Sequence, residues 1–288
     1  MTFSESLYKY RFQLAGLLVV LAAAYSSIIQ RMVHNWYIDD NYSHGFLIPF
    51  IAGWFVYRDW PRLRETRATP SNIGLLVIAA GVVQLIFAWL ATEYFNMRLS
   101  LVVILAGSVL FFFGKETFSR LRLPLGYLVL MVPLPYIIYD AIAFPLKLFV
   151  TKVSVLALKI MNFAVWREGN IISFPNIVLE VADACSGMRS LMSLIAIAVT
   201  LAFLMLGKTW TRWVLVLSAI PFAVMTNAFR VIMTGVLSRY YGRAAAEGFF
   251  HEFAGMAVFI MAMVLLGGAA IVLKKIEDRS RNASESRD

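Results

Sequence analysis

Charged side chains are scarce in this sequence. Only 15% of the 288 residues are Asp, Glu, Lys or Arg, against about 25% in an ordinary soluble domain. Hydrophobic residues make up 60% of the chain, and the mean hydropathy is +0.75. This balance excludes an ordinary water-soluble enzyme, because so large an apolar excess has to face lipid.

Cysteine and histidine are also few, with one cysteine and three histidines in the whole chain. A single cysteine cannot form an intramolecular disulfide. The histidines are scattered and show no metal-ligand spacing. We therefore expect no structural disulfide, no metal site and no cofactor.

Long apolar runs are what the sequence has in abundance. Several approach the roughly 20 residues that cross a bilayer core as a helix, and they lack the short alternating segments of a porin-like barrel. The sequence therefore predicts an all-α, polytopic transmembrane helical bundle. Seven predicted spans follow directly from these runs: Phe12 to Val33, Ser43 to Tyr57, Ile73 to Ala91, Arg98 to Phe113, Cys185 to Leu206, Trp213 to Leu237 and Glu252 to Leu273.

The basic residues indicate which way these spans run. Most of them lie in alternate loops and at the two ends of the chain: Lys9, Arg11, Arg58, Arg62, Arg64, Arg67, Lys115, Arg120, Arg122, Lys208, Arg212, Lys274, Lys275, Arg279, Arg281 and Arg287. The opposite loops contain only Arg167, Arg239 and Arg243. By the positive-inside rule the first set is cytoplasmic, together with both termini of a multi-pass inner-membrane protein. The net charge of +9 therefore indicates topology and not a nucleic-acid partner, since the basic patches are dispersed.

The middle of the chain leaves two candidates for the fifth span. Leu123 to Tyr139 and Asp140 to Val165 are both apolar enough to cross, but two crossings here would invert the last three spans. We predict that Leu123 to Tyr139 crosses, broken near its outer end by Pro133 and Pro135. The next segment then becomes a helix along the outer interface, with three lysines on one broad face: Lys147, Lys152 and Lys159. The total is eight spans plus one interfacial helix.

The chain is predicted to form one membrane-embedded domain over residues 1–275. Residues 276–288 are rich in Ser, Arg, Asp and Glu. Such a composition buries too little apolar surface to fold, so we predict a disordered cytoplasmic tail.

Three rare reactive groups lie on the predicted outer side of the last three spans. Cys185 lies where a polar loop enters the sixth span; a helix N-terminus favours the thiolate, and Arg189 follows one turn later. Arg230 lies inside the seventh span, where a guanidinium costs about 2.5–3.5 kcal/mol and usually turns toward a partner. His251 opens the eighth span.

These groups form a coherent catalytic set. A cysteine thiolate can attack a peptide carbonyl, a histidine can take up and return the proton, and a fixed guanidinium can stabilise the oxyanion. His44, at the start of the second predicted span, could line the same site, or it could be an interfacial histidine beside an N-cap serine.

Other functions use the same residues. Arg230 could form an ion pair with Glu252, or it could bind an anionic solute together with Arg189 in a transporter or channel. A lipid-linked glycan enzyme is a third possibility; such an enzyme would call for clustered outer carboxylates, and only Asp39 with Asp40 approaches that.

Several short motifs spread over most of the chain are more specific in combination than any one alone. They are Ser43-His44-Gly45; Pro133-Leu134-Pro135; Ala184-Cys185-Ser186-Gly187 followed by Arg189, Ser190 and Leu191; Asn227 with Arg230; and His251 with Gly255. In this order and spacing they resemble the exosortase/archaeosortase family of integral-membrane cysteine transpeptidases. One departure is Asp183, where the family frequently has Glu.

The resemblance implies a catalytic set of Cys185, Arg230 and His251 in an eight-span bundle. The residues expected to bind substrate or support this set are His44, Arg189, Asn227 and Ser186. The implied substrate is an exported protein with a C-terminal sorting signal, made of a short motif, a hydrophobic helix and a basic end, as in PEP-CTERM proteins. Cleavage would occur at the outer face, with transfer to an acceptor or hydrolysis; membrane lipids surround the protein, and no nucleic acid takes part.

Overall fold

The computed structural model describes residues 1–175, 178–181, 188–241 and 249–285. The side chains of residues 188, 241, 249–252 and 283–285 lie outside this description. The chain divides into two compact units, Met1–Pro135 and Tyr136–Asp288.

The first unit consists of helices joined by short non-helical segments. Its elements are α1 (Phe3–Lys9), α2 (Arg11–Ile38), a 3₁₀ helix η1 (Asp40–Phe46), α3 (Ile48–Leu63), α4 (Ile73–Leu90), α5 (Tyr94–Tyr127) and a second 3₁₀ helix η2 (Leu128–Met131). Helices α4 and α5 approach closely at two glycines: a Cβ on Gly107 would lie 2.8 Å from the backbone nitrogen of Ile78, and one on Gly74 would lie 2.7 Å from the carbonyl oxygen of Gly107. Small residues at such a crossing let two apolar helices pack backbone to backbone.

Helix α5 consists of two stretches that meet at Gly114. This glycine has a φ of 84°, and a Cβ here would lie 2.7 Å from the carbonyl carbon of Thr69. Only glycine accepts that backbone conformation readily. The second stretch packs along α3, with the Phe55 and Tyr127 rings edge to face at 5.5 Å.

The predicted fifth span has the wrong bounds. Residues 123–127 belong to α5 and residues 128–131 to η2, and no helix covers 132–135. The predicted break at Pro133 and Pro135 is confirmed, since proline lacks an N–H and keeps the preceding residue out of the helical region. The next helix, α6 (Tyr136–Ile160), therefore begins directly after the second proline.

Helix α6 covers most of the predicted interfacial helix over 140–165, but it begins at Tyr136 and ends at Ile160; whether it lies along the interface stays a prediction. It has 25 residues and is long and apolar enough to cross a membrane. Helix α6 contains three lysines, but the residues around them are strongly apolar. Its mean hydropathy therefore stays in the range of membrane-spanning helices. On length and composition, α6 is therefore a candidate span.

The all-α, multi-pass architecture is confirmed. Six helices among the described residues are long and apolar enough to span a membrane: α2, α4, α5 continued through η2, α6, α8 and α9. Two more are shorter: α3 has 16 residues, and α7 is apolar over Arg189–Met205. The total of eight crossings stays a prediction.

The second unit adds a small sheet to four helices. Its elements are α6, three strands β1 (Trp166–Glu168), β2 (Ile171–Ser173) and β3 (Val178–Glu180), α7 (Met188–Met205), α8 (Thr209–Tyr241) and α9 (Phe249–Glu285). The strands pair antiparallel in the order β1-β2-β3, with Arg167 opposite Ile172 and Ile172 opposite Leu179. Ile172 is fully buried and belongs to one cluster of buried apolar side chains with members on α6 and α8. This cluster fixes the sheet against those two helices.

Helix α9 also differs from the prediction. It continues to Glu285, so residues 276–285 are helical where a disordered tail was predicted. Glu277 gives the reason: its carboxylate accepts hydrogen bonds from the backbone N–H groups of Gly207 (2.8 Å) and Lys208 (2.9 Å) and from the Thr211 hydroxyl. These contacts join the end of α9 to the turn between α7 and α8.

Candidate active site

Arg230 lies deeper in its helix than the sequence predicted. Helix α8 runs four residues beyond the predicted end at Leu237, so Arg230 lies 11 residues before Tyr241, or roughly 16 Å along the helix axis. The side chain is half-buried, and its Nε atom is fully buried.

The Arg230 guanidinium packs against a glycine on α9. A Cβ built on Gly255 would lie 3.4 Å from Nη2 and 3.5 Å from Cζ of Arg230. Gly255 therefore leaves open the space next to the guanidinium, which a single Cβ would just touch. A side chain that extends beyond Cβ at this position would displace the guanidinium.

Gly255 lies on the same helix as His251, the predicted catalytic histidine. His251 lies in the first turn of α9, four residues before Gly255 and about 6 Å along the helix. Residues four apart share a helix face, so His251 and the glycine under Arg230 lie on the same side of α9. The His251 side chain, like that of Glu252, lies outside the described part of the chain.

The chain that leads to the predicted nucleophile is tied to the same region of α8. Val181, four residues before Cys185, is 3% exposed and belongs to the buried cluster of β2, α6 and α8. That cluster includes Ala228 and Val231, which flank Arg230. Cys185 and Ser186 themselves lie outside the described residues, as does Asp183.

The other predicted residues of this unit lie close by in sequence and structure. Asn227 is 3% exposed and lies three residues before Arg230, so the two share a face of α8. Arg189 lies in the first turn of α7 with an exposed side chain. The structure thus brings Arg230 next to Gly255, keeps Asn227 one turn before Arg230 on α8, and places Arg189 and His251 at the starts of their helices.

His44 belongs to the other unit. It lies in η1 and is 8% exposed, and burial lowers the pKa of its imidazole. Next to it, a Cβ on Gly45 would lie 2.6 Å from two indole carbons of Trp36. The indole nitrogen of Trp36 donates to the carbonyl of Met131 at 2.8 Å, so the His44 segment is packed tightly against the end of α2.

One member of the acidic pair Asp39 and Asp40 has a structural use. Asp39 caps η1, accepting from the backbone N–H of Asn41 at 3.0 Å and from its side-chain amide at 2.8 Å. Within the described residues, no three His, Cys, Asp or Glu side chains are grouped to hold a metal ion.

The small sheet is the feature of this site that the sequence analysis missed. One signal was available in the sequence, because the Gly169-Asn170 pair separates two short runs with strand-forming residues, which is a hairpin signature. Gly169 has the positive φ (61°) that such a turn requires. The sheet matters for the site because its last strand, β3, is followed directly by Val181.

This geometry defines the class of protein. It is a multi-pass helical membrane protein in which a half-buried arginine of one long apolar helix lies next to the start of the last helix. The family model of the transmembrane exosortases matches residues 36–268. The chain therefore belongs to the transmembrane exosortase family. No curated protein and no solved structure matches it.

Proposed function

We propose that this protein is a cysteine transpeptidase that cleaves C-terminal sorting signals of exported proteins at the outer face of the cytoplasmic membrane, with Cys185, His251 and Arg230 as its catalytic residues. The observation that carries the proposal is the position of the Arg230 guanidinium beside Gly255, one helical turn from His251. The family match supports the reaction class. Val181 belongs to a buried cluster that includes Ala228 and Val231 of α8, close to Arg230 along the helix, and this supports the placement of the nucleophile.

The proposed reaction has two halves. The Cys185 thiolate attacks the scissile carbonyl carbon, and the negative charge that develops on the carbonyl oxygen is stabilised by the Arg230 guanidinium. When the peptide C–N bond breaks, His251 donates a proton to the leaving amine, and a thioester to Cys185 remains. An acceptor nucleophile, or water, then loses its proton to His251, attacks the thioester and releases the thiolate.

The proposed substrate fits the distribution of charge on the protein. A sorting-signal helix with a basic end would cross the bilayer beside this bundle with that end in the cytoplasm, as the positive-inside rule requires. The peptide bond before such a helix then lies at the outer face, where the predicted topology places Cys185. Both termini of the enzyme are cytoplasmic in this arrangement.

The deciding experiment is processing of a tagged exported protein that ends in a short motif, an apolar helix and an arginine cluster, encoded by the same organism. Cys185→Ser and Cys185→Ala are expected to abolish processing, because neither side chain supplies a thiolate. The matched control is Ser193→Ala, a change of similar size further along α7, which should process normally. The amount of each variant in the membrane is measured alongside.

Full processing by either Cys185 variant would overturn the proposal. Solute uptake that depends on Arg230 and Arg189, without any substrate cleavage, would instead establish the transporter function that the same arginines permit.

A further inference from the structure

A second basic site lies in the first unit, between α2 and the start of α5. A cavity of about 430 Å³ is lined there by Gln30, Arg31, His34, Asn35, Tyr94 and Arg98. This volume falls within the range of small-ligand pockets. The lining includes two arginines and a histidine and no acidic side chain.

Arg98 is the anchor of this cavity. It is 5% exposed, and its buried Nε–H has no hydrogen-bond acceptor among the described residues. The Asn35 amide is oriented so that its oxygen accepts from Nη2 of Arg98 at 3.0 Å and its nitrogen donates to the carbonyl of Arg31 at 3.1 Å. A buried donor left unsatisfied costs about 1–3 kcal/mol, so Arg98 lines the cavity with hydrogen-bonding capacity that its described neighbours do not use.

Tyr94 holds the second guanidinium near the first. Its hydroxyl accepts from Nη1 of Arg31 at 2.7 Å, and its ring centre lies 5.4 Å from Cζ of Arg31 and 6.0 Å from Cζ of Arg98. Among the described residues, no carboxylate lies within ion-pair distance of either arginine. Glu93, just before α5, is the acidic residue nearest to Arg98 in sequence. Its carboxylate oxygens accept hydrogen bonds from the backbone N–H groups of Phe95 and Asn96.

The surroundings place the cavity at a membrane–water boundary. The helix ends beside it expose large amphipathic and apolar side chains: Tyr37, Trp89 and Leu90 are 80%, 66% and 67% exposed. Tyrosine and tryptophan collect at the level of the lipid headgroups. Arg31 and Arg98 also lie at the predicted outer ends of their spans, where the positive-inside rule predicts few cations, so the topology of the chain does not account for them.

We infer that Arg31 and Arg98 form a binding site for a phosphate group at the outer membrane interface. A guanidinium fork matches phosphate oxygens in geometry and charge, and a phosphate would supply the negative charge that the described lining of this cavity lacks. The phosphate belongs either to a phospholipid headgroup or to a soluble phosphate compound. This site belongs to the first unit, and the inference is independent of the proposed function.

The test is a binding measurement on the purified full chain in an uncharged detergent. The probes are phosphatidylglycerol in mixed micelles and inorganic phosphate. Binding of the lipid is measured by native mass spectrometry, and binding of both probes is measured as a shift in the midpoint of thermal unfolding. Arg31→Gln and Arg98→Gln are compared with the wild type. Arg11→Gln is the matched control, because Arg11 is an exposed arginine at the opposite end of α2.

The wild type is expected to bind phosphatidylglycerol saturably, and each of the two variants is expected to bind it at least tenfold more weakly, with Arg11→Gln unchanged. Binding of inorganic phosphate with the same dependence on the two arginines, in the absence of saturable lipid binding, would support the site with a soluble ligand. Equal binding of both probes by wild type and variants, or no binding by the wild type, would overturn the inference. The Arg98→Gln variant could fail to fold, because Arg98 is buried. Arg31 is exposed, so Arg31→Gln should fold and then tests the inference by itself.

Discussion

At the scale of single residues, the position of the Arg230 guanidinium depends on a glycine of the neighbouring helix. Cζ and both Nη atoms of Arg230 lie 3.4–3.6 Å from where a Cβ on Gly255 would be. The absence of a side chain at Gly255 thus leaves the space that the guanidinium uses. Catalysis by oxyanion stabilisation depends on a fixed orientation of the hydrogen-bond donors.

Replacing Arg230 by lysine tests the importance of the fork. The ammonium keeps the charge but loses the planar donors, so we expect substrate processing to slow by about 10²–10³-fold, the loss typical of removing one oxyanion donor. The measurement is the rate of processing at equal amounts of membrane protein. Wild-type rates in Arg230→Lys would show that only a point charge is needed.

Gly255 can be tested without touching a catalytic side chain. Gly255→Ala should be nearly neutral, since its Cβ would be in ordinary van der Waals contact, whereas Gly255→Leu should displace the guanidinium and strongly reduce processing. Gly267→Leu is the control on the same helix, because no atom lies within 4 Å of a Cβ at that position. If both leucine variants process equally well, the glycine is not what positions Arg230.

At the scale of elements, the end of α9 stabilises the turn that leads into α8. The buried Glu277 carboxylate accepts from two consecutive backbone N–H groups just before α8 begins and from Thr211 in its first turn. A carboxylate at a helix N-terminus also interacts favourably with the helix dipole. Lys208 further donates to the Ser280 hydroxyl at 2.8 Å, so the last turns of α9 are part of the fold.

Glu277→Gln should therefore destabilise the protein. Its amide NH₂ would face N–H donors, and the expected loss is about 1–3 kcal/mol in the free energy of unfolding, read as a lower midpoint of thermal unfolding in detergent. Asp278→Asn is the matched control, because Asp278 is exposed and forms only a 3.9 Å surface pair with Arg281, worth about 0–1 kcal/mol. Equal midpoints for the two variants would contradict this role of Glu277.

At the scale of the whole molecule, orientation in the membrane is the property on which the proposed chemistry depends. The basic loops predict cytoplasmic termini and an outer Cys185. A membrane-impermeant thiol reagent added to intact cells or spheroplasts should therefore label Cys185. The same reagent should fail to label Ser280→Cys in a Cys185→Ala background until the membrane is opened. The reverse pattern would refute the orientation.

The sequence by itself determined the class of membrane protein, the helical nature of nearly every element and the identity of the candidate catalytic residues. These follow from local properties: apolar length, loop charge, proline breaks and rare reactive groups, which need no knowledge of neighbours. Even the break at Pro133 and Pro135 could be predicted, because proline acts on its own backbone.

Only the tertiary structure decided which residues meet. The contact of Arg230 with Gly255, the burial of Glu277 that keeps residues 276–285 helical, and the pairing of Arg31 and Arg98 around one cavity all join positions far apart in sequence. No periodicity or composition encodes such pairings, since they arise when whole helices pack. The bounds of the fifth span were misplaced for the same reason: the kink at Gly114 and the packing of the following stretch on α3 fixed where that helix runs.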